Sequence, residues 1–236
     1  MLGSPAITLL HQDGDLVVAD KPAGLATVAE RDPSRDNLRA RLEEQLGARL
    51  WTVHRLDKDV SGVVVLARTA EMHRRLSLAF ERREARKTYL AVVRGVPATT
   101  DGSIESPLRE FGSGRMGVDR ERGRPSLTNW KLLRAVPAAL PAPACALLEV
   151  HPVTGRRHQI RVHLHSIGHA VVGDPLYGER ETPATGPAAA PAPRLMLHAQ
   201  RLQIAELALD VTAPLPGEFL ALLGAPATST PRAPPA

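Results

Sequence analysis

The chain reads as an α+β fold, on three observations. Strand-like runs outnumber helical ones, the two kinds follow each other irregularly rather than in a strict βαβ order, and no internal repeat marks a solenoid or propeller. Hydrophobic residues make up 43% of the 236, which allows a sizeable core. We expect one domain over residues 1–224 and a disordered Pro/Ser/Thr/Ala tail over 225–236.

Ile7–Leu10 and Leu16–Asp20 are apolar runs separated by His11-Gln12-Asp13-Gly14-Asp15, and predict a β-hairpin. Lys21-Pro22-Ala23-Gly24 breaks the pattern and opens a loop. Leu38, Leu42 and Leu46 lie four apart, with Asp36 as the N-cap and Gly47 just past the last, so a helix is expected there. Val63–Ala67 is uninterrupted and apolar, as a buried strand would be. Thr69 caps a second helix, in which Met72, Leu76 and Phe80 share a face opposite Arg74, Arg75, Arg82 and Arg83. Thr88–Val93 is β-rich and closes at Gly95 and Pro97. Residues 111–126 are Gly- and Arg-rich without periodicity and read as a loop. Leu127–Leu133 and Ala146–Val150 predict two strands, joined as a long hairpin across the Pro/Ala stretch 137–144. A mobile Pro/Ala loop is expected over 183–193, and Leu195–Ala199, Leu202–Ala205 and Leu207–Asp210 predict closing strands.

The N-terminus does not read as a signal peptide, and no segment approaches the roughly 20 apolar residues of a membrane span. A cytoplasmic protein with no membrane partner is therefore expected; a monomer is expected as well. Cys145 is the only cysteine, which excludes an intrachain disulfide and a cysteine-based zinc site and fits a small core residue. The net charge of +5 is carried by arginine, the lysines being Lys21, Lys58, Lys87 and Lys131. Arginine forks onto phosphate and stacks on flat rings, so this balance suits nucleic acid. A GC-rich genome gives the same composition, and the charge by itself leaves both readings open. Aromatic residues, at 3%, are too few for stacking platforms. RNA binding would then rest on arginine, backbone and shape.

Three segments gather polar residues in apolar surroundings: His54-Arg55-Leu56-Asp57-Lys58-Asp59-Val60-Ser61-Gly62, Lys87-Thr88-Tyr89, and Thr154-Gly155-Arg156-Arg157-His158-Gln159-Ile160-Arg161-Val162-His163-Leu164. In the third, Ile160, Val162 and Leu164 alternate like a strand, while Ile160, Leu164 and Ile167 fit a helix; periodicity does not decide. His151, His158, His163, His165 and His169 invite a metal reading, but no HExxH or comparable carboxylate spacing accompanies them, so no metal is expected. Asp57-Lys58-Asp59-Val60 resembles the aspartate motif of haloacid-dehalogenase-type phosphatases. Against that alternative, the apolar strand follows the motif instead of preceding it, and no later acidic pair is apparent.

Taken together and in order, these segments closely resemble the motifs of the RluA-type pseudouridine synthases. So do Lys21-Pro22-Ala23-Gly24, Gly168-His169-x-x-x-Gly173-Asp174-x-x-Tyr177-Gly178 and Leu197-His198-Ala199, and the match runs over roughly residues 7–215. The resemblance implies a pseudouridine synthase catalytic fold: a central mixed, mostly antiparallel sheet with flanking helices and a catalytic cleft. It implies that Asp57 attacks the target uridine, that Tyr89 stacks near the flipped base and takes the C5 proton, and that Arg161 pairs with Asp57. His54 and Arg55 would lie at the cleft and touch RNA, Arg55 filling the gap left by the flipped base. Lys87, Arg156, Arg157 and His158 would be further RNA contacts, and the arginines of 82–86 could reach phosphates. Val60 stands where many members have Thr, with a small effect expected. The motifs begin almost at Met1, so the N-terminal S4 domain of many relatives is expected to be absent.

The implied reaction breaks the N1–C1′ bond of a uridine in an rRNA or tRNA stem-loop, turns the uracil and joins C5 to C1′. No atom is added and no redox occurs, so no cofactor is needed. A carboxylate can attack C1′ or promote loss of the C2′ proton, and the sequence does not choose. Either way it must be ionised in a cleft, which an adjacent guanidinium favours. A catalytically idle RNA-binding module on the same fold is the remaining alternative. The intact Asp57, Tyr89 and Arg161 argue against it, since binding needs no carboxylate facing RNA.

Overall fold

The computed structural model describes residues 5–29, 36–112, 114–137, 144–178 and 192–223. Strands β1 (Thr8–Gln12) and β2 (Leu16–Lys21) form the expected antiparallel hairpin. Asp13 makes its turn: Oδ1 accepts the backbone N–H of Asp15 and of Leu16, each at 2.8 Å. A short side-chain acceptor bending its own backbone is the reason Asp suits such turns. Pairing extends two residues past the apolar run, beyond a bulge between Leu9 and His11.

Helix α1 (Leu38–Leu46) ends on Gly47 in the left-handed conformation, as expected, but its N-cap is Asn37 and not Asp36. Asn37 has the extended backbone a cap requires and accepts from the Ala40 N–H at 3.0 Å. Asp36 pairs with the Arg41 guanidinium instead. β3 (Trp51–Thr52) and β4 (Ser61–Ala67) lead into α2 (Ala70–Glu81), which Thr69 caps through the Met72 N–H. Met72 and Leu76 are buried, Arg74 and Arg75 exposed, and Arg82 and Arg83 fall just past the helix end.

β5 (Arg86–Arg94) is followed by three short strands that no apolar run announces: β6 (Asp101–Glu105), β7 (Leu108–Glu110) and β8 (Met116–Val118). β8 lies inside 111–126, so that segment is not all loop. It pairs with β7 in a separate two-stranded ladder, anchored by buried Leu108 and Met116. β9 (Leu127–Val136) and β10 (Cys145–Pro152) pair antiparallel as expected; residues 138–143 lie outside the described ones. α3 (Gln159–Ser166) settles as a helix the segment that periodicity left open. β11 (Leu197–Ile204) merges two expected strands into one, and Ala205–Leu207 is a 3-10 turn. β12 (Leu209–Thr212) folds back on β11, and α4 (Gly217–Leu222), not expected, closes the described chain. Apart from Ala192 and Pro193, the loop 183–193 lies outside the described residues, as does the tail 225–236.

Ten strands form one mixed sheet in the order β1-β2-β4-β11-β5-β10-β9-β6, with β3 on β4 and β12 on β11. Among the described pairs only β4–β11 is parallel, so the sheet is mixed and mostly antiparallel, as the resemblance implied. Val64 and Leu66 pack on one face with Leu38 and Leu42 of α1, Ile160 and Leu164 of α3, and Phe219 of α4. Val63, Val65 and Ala67 pack on the other with Met72 and Leu76 of α2. Burial on both faces is why this strand reads as an unbroken apolar run.

The β4–β11 crossing positions the site. Gly62 stands at φ +113, and a Cβ there would lie 2.2 Å from the Ala199 carbonyl oxygen, so glycine alone lets the strands meet. Next to it, Ser61 Oγ hydrogen-bonds His198 Nδ1 at 2.8 Å. The Ser-Gly of one motif and the Leu-His-Ala of another are two sides of one crossing.

Candidate active site

Asp57 lies in the loop between β3 and β4, and the chain's N-terminal part fastens that loop. Thr27 Oγ1 donates to the Leu56 carbonyl at 3.0 Å and accepts the Leu56 N–H at 3.1 Å. The buried Lys21 ammonium donates to the carbonyls of Pro22, Leu25 and Lys58, and the Gly24 N–H reaches Lys58 O at 2.9 Å. The Lys-Pro-Ala-Gly segment therefore works as a clamp on the residues flanking Asp57. Val60 is buried beneath the same loop.

Asp57 is half-buried and faces Arg161, the pair being 3.3 Å apart from Oδ2 to Nη1. Arg161 itself is 3% exposed and held by a second carboxylate: Nε and Nη2 donate to the two oxygens of Asp174 at 2.7 and 2.8 Å. Burial pushes the Asp174 carboxyl up, but Arg161 and the N–H groups of Leu176 and Tyr177 outweigh it and hold it below the ordinary carboxylate value. Burial likewise opposes the Arg161 charge, and the two aspartates overcome that. Asp174 belongs to the Gly168–Gly178 motif, where its sequence position alone assigns it no role. Of the two acids on Arg161, Asp57 lines the cleft, while the Asp174 side chain has no exposed surface. His158, expected among the RNA contacts, stands beside Asp57 with Nε2 3.8 Å from Oδ2, and its Nδ1 meets the Tyr177 hydroxyl at 2.8 Å.

The structure gathers Asp57, Tyr89, Arg161, His54, Arg55, Lys87, Arg156 and His158 around a single cavity of about 470 Å³. Arg157 does not join them; it pairs with Glu110 of β7 at 3.1 Å. Arg55 is exposed. His54 is fixed by structure: Nε2 accepts the Val65 N–H at 3.0 Å, the ring stacks on Phe80 at 4.6 Å, and burial with the Lys87 charge pulls it down to about 3, so it is neutral. Lys87 is lowered by burial. Arg156 Nε is buried with no hydrogen-bond partner. Burial, and then the Asp57 charge, push the Tyr89 phenol well above its ordinary value, so it stands as a neutral hydroxyl.

Gln159 and His163, at the heart of the third segment, anchor α3 to β9. Gln159 Nε2 donates to Leu127 O and Thr128 Oγ1, and His163 Nδ1 meets Thr128 Oγ1 at 2.8 Å. Asp59 faces a separate groove beside Lys21 and Arg194, so Asp57 and Asp59 do not share a site as a phosphatase motif would require. Among the described residues no group of three or more His, Cys, Asp or Glu is arranged to hold a metal ion, and no helix is long and apolar enough to cross a membrane.

Residues 15–166 match the RNA pseudouridylate synthase family. An uncharacterised RNA pseudouridine synthase of Zymomonas mobilis is 37% identical over 222 residues, covering 89% of this chain and 94% of the relative. The dual-specificity RNA pseudouridine synthase RluA of Escherichia coli is 34% identical over 220 residues, covering 91% and 95%. The solved structure of human RNA pseudouridylate synthase domain containing 1 matches with a TM-score of 0.74 at 25% identity, over 98% of this chain and all of that one. Fold, cleft and sequence agree over most of the chain, which belongs to the RNA pseudouridine synthase family and is of the RluA type.

Proposed function

We propose that Asp57 is the carboxylate with which this isomerase opens the glycosidic bond of one uridine in an rRNA or tRNA stem-loop. One observation carries the assignment: two carboxylates share the buried Arg161, and only Asp57 lines the cleft. Asp174 satisfies the guanidinium from behind, so Asp57 presents negative charge to the substrate while remaining paired. Attack at C1′ and removal of the C2′ proton both use that charge. Once C5 is joined to C1′, the C5 proton leaves through the Tyr89 hydroxyl. That phenol is neutral, so it relays the proton, passing its own to a solvent water as it receives the other.

The target base is flipped to reach the cleft, with Arg55 entering the space it leaves. Lys87 and Arg156 hold backbone phosphate; the partnerless Arg156 Nε supports that role. Arg157, engaged with Glu110, contributes at the edge of the bound RNA. The dual-specificity name of the Escherichia coli relative supports rRNA, tRNA or both as substrates. We read the chain as a bacterial, cytoplasmic monomer whose residues 1–224 work as one catalytic domain, since one sheet of ten described strands holds both β1 and β12.

Tritium release from RNA carrying uridine labelled at C5, taken from cells lacking this protein, tests the reading. Wild type should release tritium without added metal and Asp57→Asn should not; mapping the product then gives the site. Release retained by Asp57→Asn removes Asp57 from the chemistry.

A further inference from the structure

The Tyr177 hydroxyl stands between two partners. It accepts the buried Met116 N–H of β8 at 2.9 Å, and it lies 2.8 Å from His158 Nδ1. Having accepted from Met116, the hydroxyl still has its own proton to give, and Nδ1 is the acceptor within reach. Nδ1 is then an acceptor and the imidazole proton sits on Nε2, which faces Asp57 Oδ2. The opposite tautomer would turn a lone pair toward a carboxylate. A second observation is independent of this. His158 occupies the left-handed region at φ 52 at the start of α3, and its side chain makes no capping hydrogen bond there. Such a conformation strains a residue that carries a β-carbon. No capping hydrogen bond offsets that strain; the side chain instead turns to Tyr177 and Asp57.

We propose that Tyr177 and His158 form a positioning relay for Asp57, in which the hydroxyl sets the imidazole so that Nε2–H and Arg161 together hold Oδ2 and leave Oδ1 to the sugar. At 3.8 Å the imidazole contact is an ion–dipole contact, not yet a hydrogen bond. Burial, with the charges of Arg161 and Arg157, keeps His158 below its ordinary value against the pull of Asp57 and Asp174, in line with a neutral ring. Because Met116 belongs to β8, the relay also ties the aim of the carboxylate to the β7–β8 ladder, one strand of which pairs with Arg157. The relay rests on the reading of Asp57 given above.

The test compares wild type, Tyr177→Phe, His158→Met and His158→Gln, with Asp57→Asn as a control. Met and Gln share the backbone cost at this position, but only Gln offers an N–H where Nε2 stood. In tritium release, Tyr177→Phe and His158→Met should lower kcat by about tenfold to a hundredfold with KM and RNA Kd within about twofold, and His158→Gln should recover most of the loss. A raised KM or Kd with kcat intact would make His158 an RNA contact and overturn the relay; so would His158→Gln as poor as His158→Met. Nitrogen NMR of the imidazoles reads the tautomer without activity: His158 should carry its proton on Nε2 in wild type and lose that preference in Tyr177→Phe. A proton on Nδ1 in wild type overturns the relay. Undiminished release by Asp57→Asn is a different failure, that of the carboxylate assignment, and the tautomer still decides the relay.

Discussion

Asp174 grips Arg161 with two parallel hydrogen bonds and leaves Nη1 to reach Asp57 at 3.3 Å. The cleft-facing carboxylate is thus aimed by a cation that another carboxylate has already immobilised. Removing that second acid would leave a guanidinium buried without its main partner.

Asp174→Asn should lose about 3 kcal/mol of stability, the usual cost of breaking a buried ion pair from one side, read as a lower urea midpoint. The Asp174 carboxyl is held below its unfolded value of 3.8. Its stabilisation is therefore present above that pH and lost as pH falls through the folded value. Acid unfolding should be steeper in wild type than in Asp174→Asn; equal curves would mean that the pair contributes nothing.

Tyr89 and Tyr177 are the only tyrosines, and burial is the first cause pushing both phenols up. Phenolate absorbance of the native protein should stay well below half-ionisation at about pH 10, where free tyrosine reaches it. The unfolded chain gives up these protons first, so stability should fall as pH rises past about 10. Half-ionisation at pH 10 in the folded protein would contradict the neutral relay assigned to Tyr89.

Gly62→Ala adds a methyl 2.2 Å from the Ala199 carbonyl at a φ of +113. A loss of roughly 3 kcal/mol or more is expected from strain and strand separation together. Gly14→Ala, where nothing lies within 4 Å, is the control and should stay near wild type. Similar denaturation midpoints for the two variants would show that β4 and β11 can part without cost.

Lys87→Gln and Arg156→Gln should each reduce the salt dependence of RNA binding by about one phosphate contact, a slope change of roughly 0.7 to 1. Arg157→Gln, whose native side chain is turned to Glu110, should change the slope least. Equal slopes for all three would remove the distinction between cleft and edge.

Much was legible because the deciding interactions are local. Asp13 closing its own turn, Thr69 on Met72 and Gly47 behind α1 act within a few residues, and their residue types announce them. Asn37 outdid Asp36 because a cap depends on which residue holds the extended backbone, and both types cap well. Strands β6, β7 and β8 were missed because each is short and half-exposed, so pairing and not hydrophobicity makes them strands.

By itself the sequence determined which residue types the site holds and in what order: an aspartate before a buried strand, a tyrosine opening another, an arginine within a His-Gln-Ile-Arg run, and an Asp-x-x-Tyr beyond it. Only the tertiary structure decided how they divide the work. Asp57 and Asp174 are chemically the same acid, and burial alone leaves one facing the cleft and makes the other a clamp on Arg161. Arg156 and Arg157 are neighbours, and only the fold sends one into the cleft and the other to Glu110. A side chain's chemistry is set by its own atoms, but its charge state, partners and access are set by elements far away in sequence. For this site those elements meet only where β4 crosses β11 and α3 packs against the sheet.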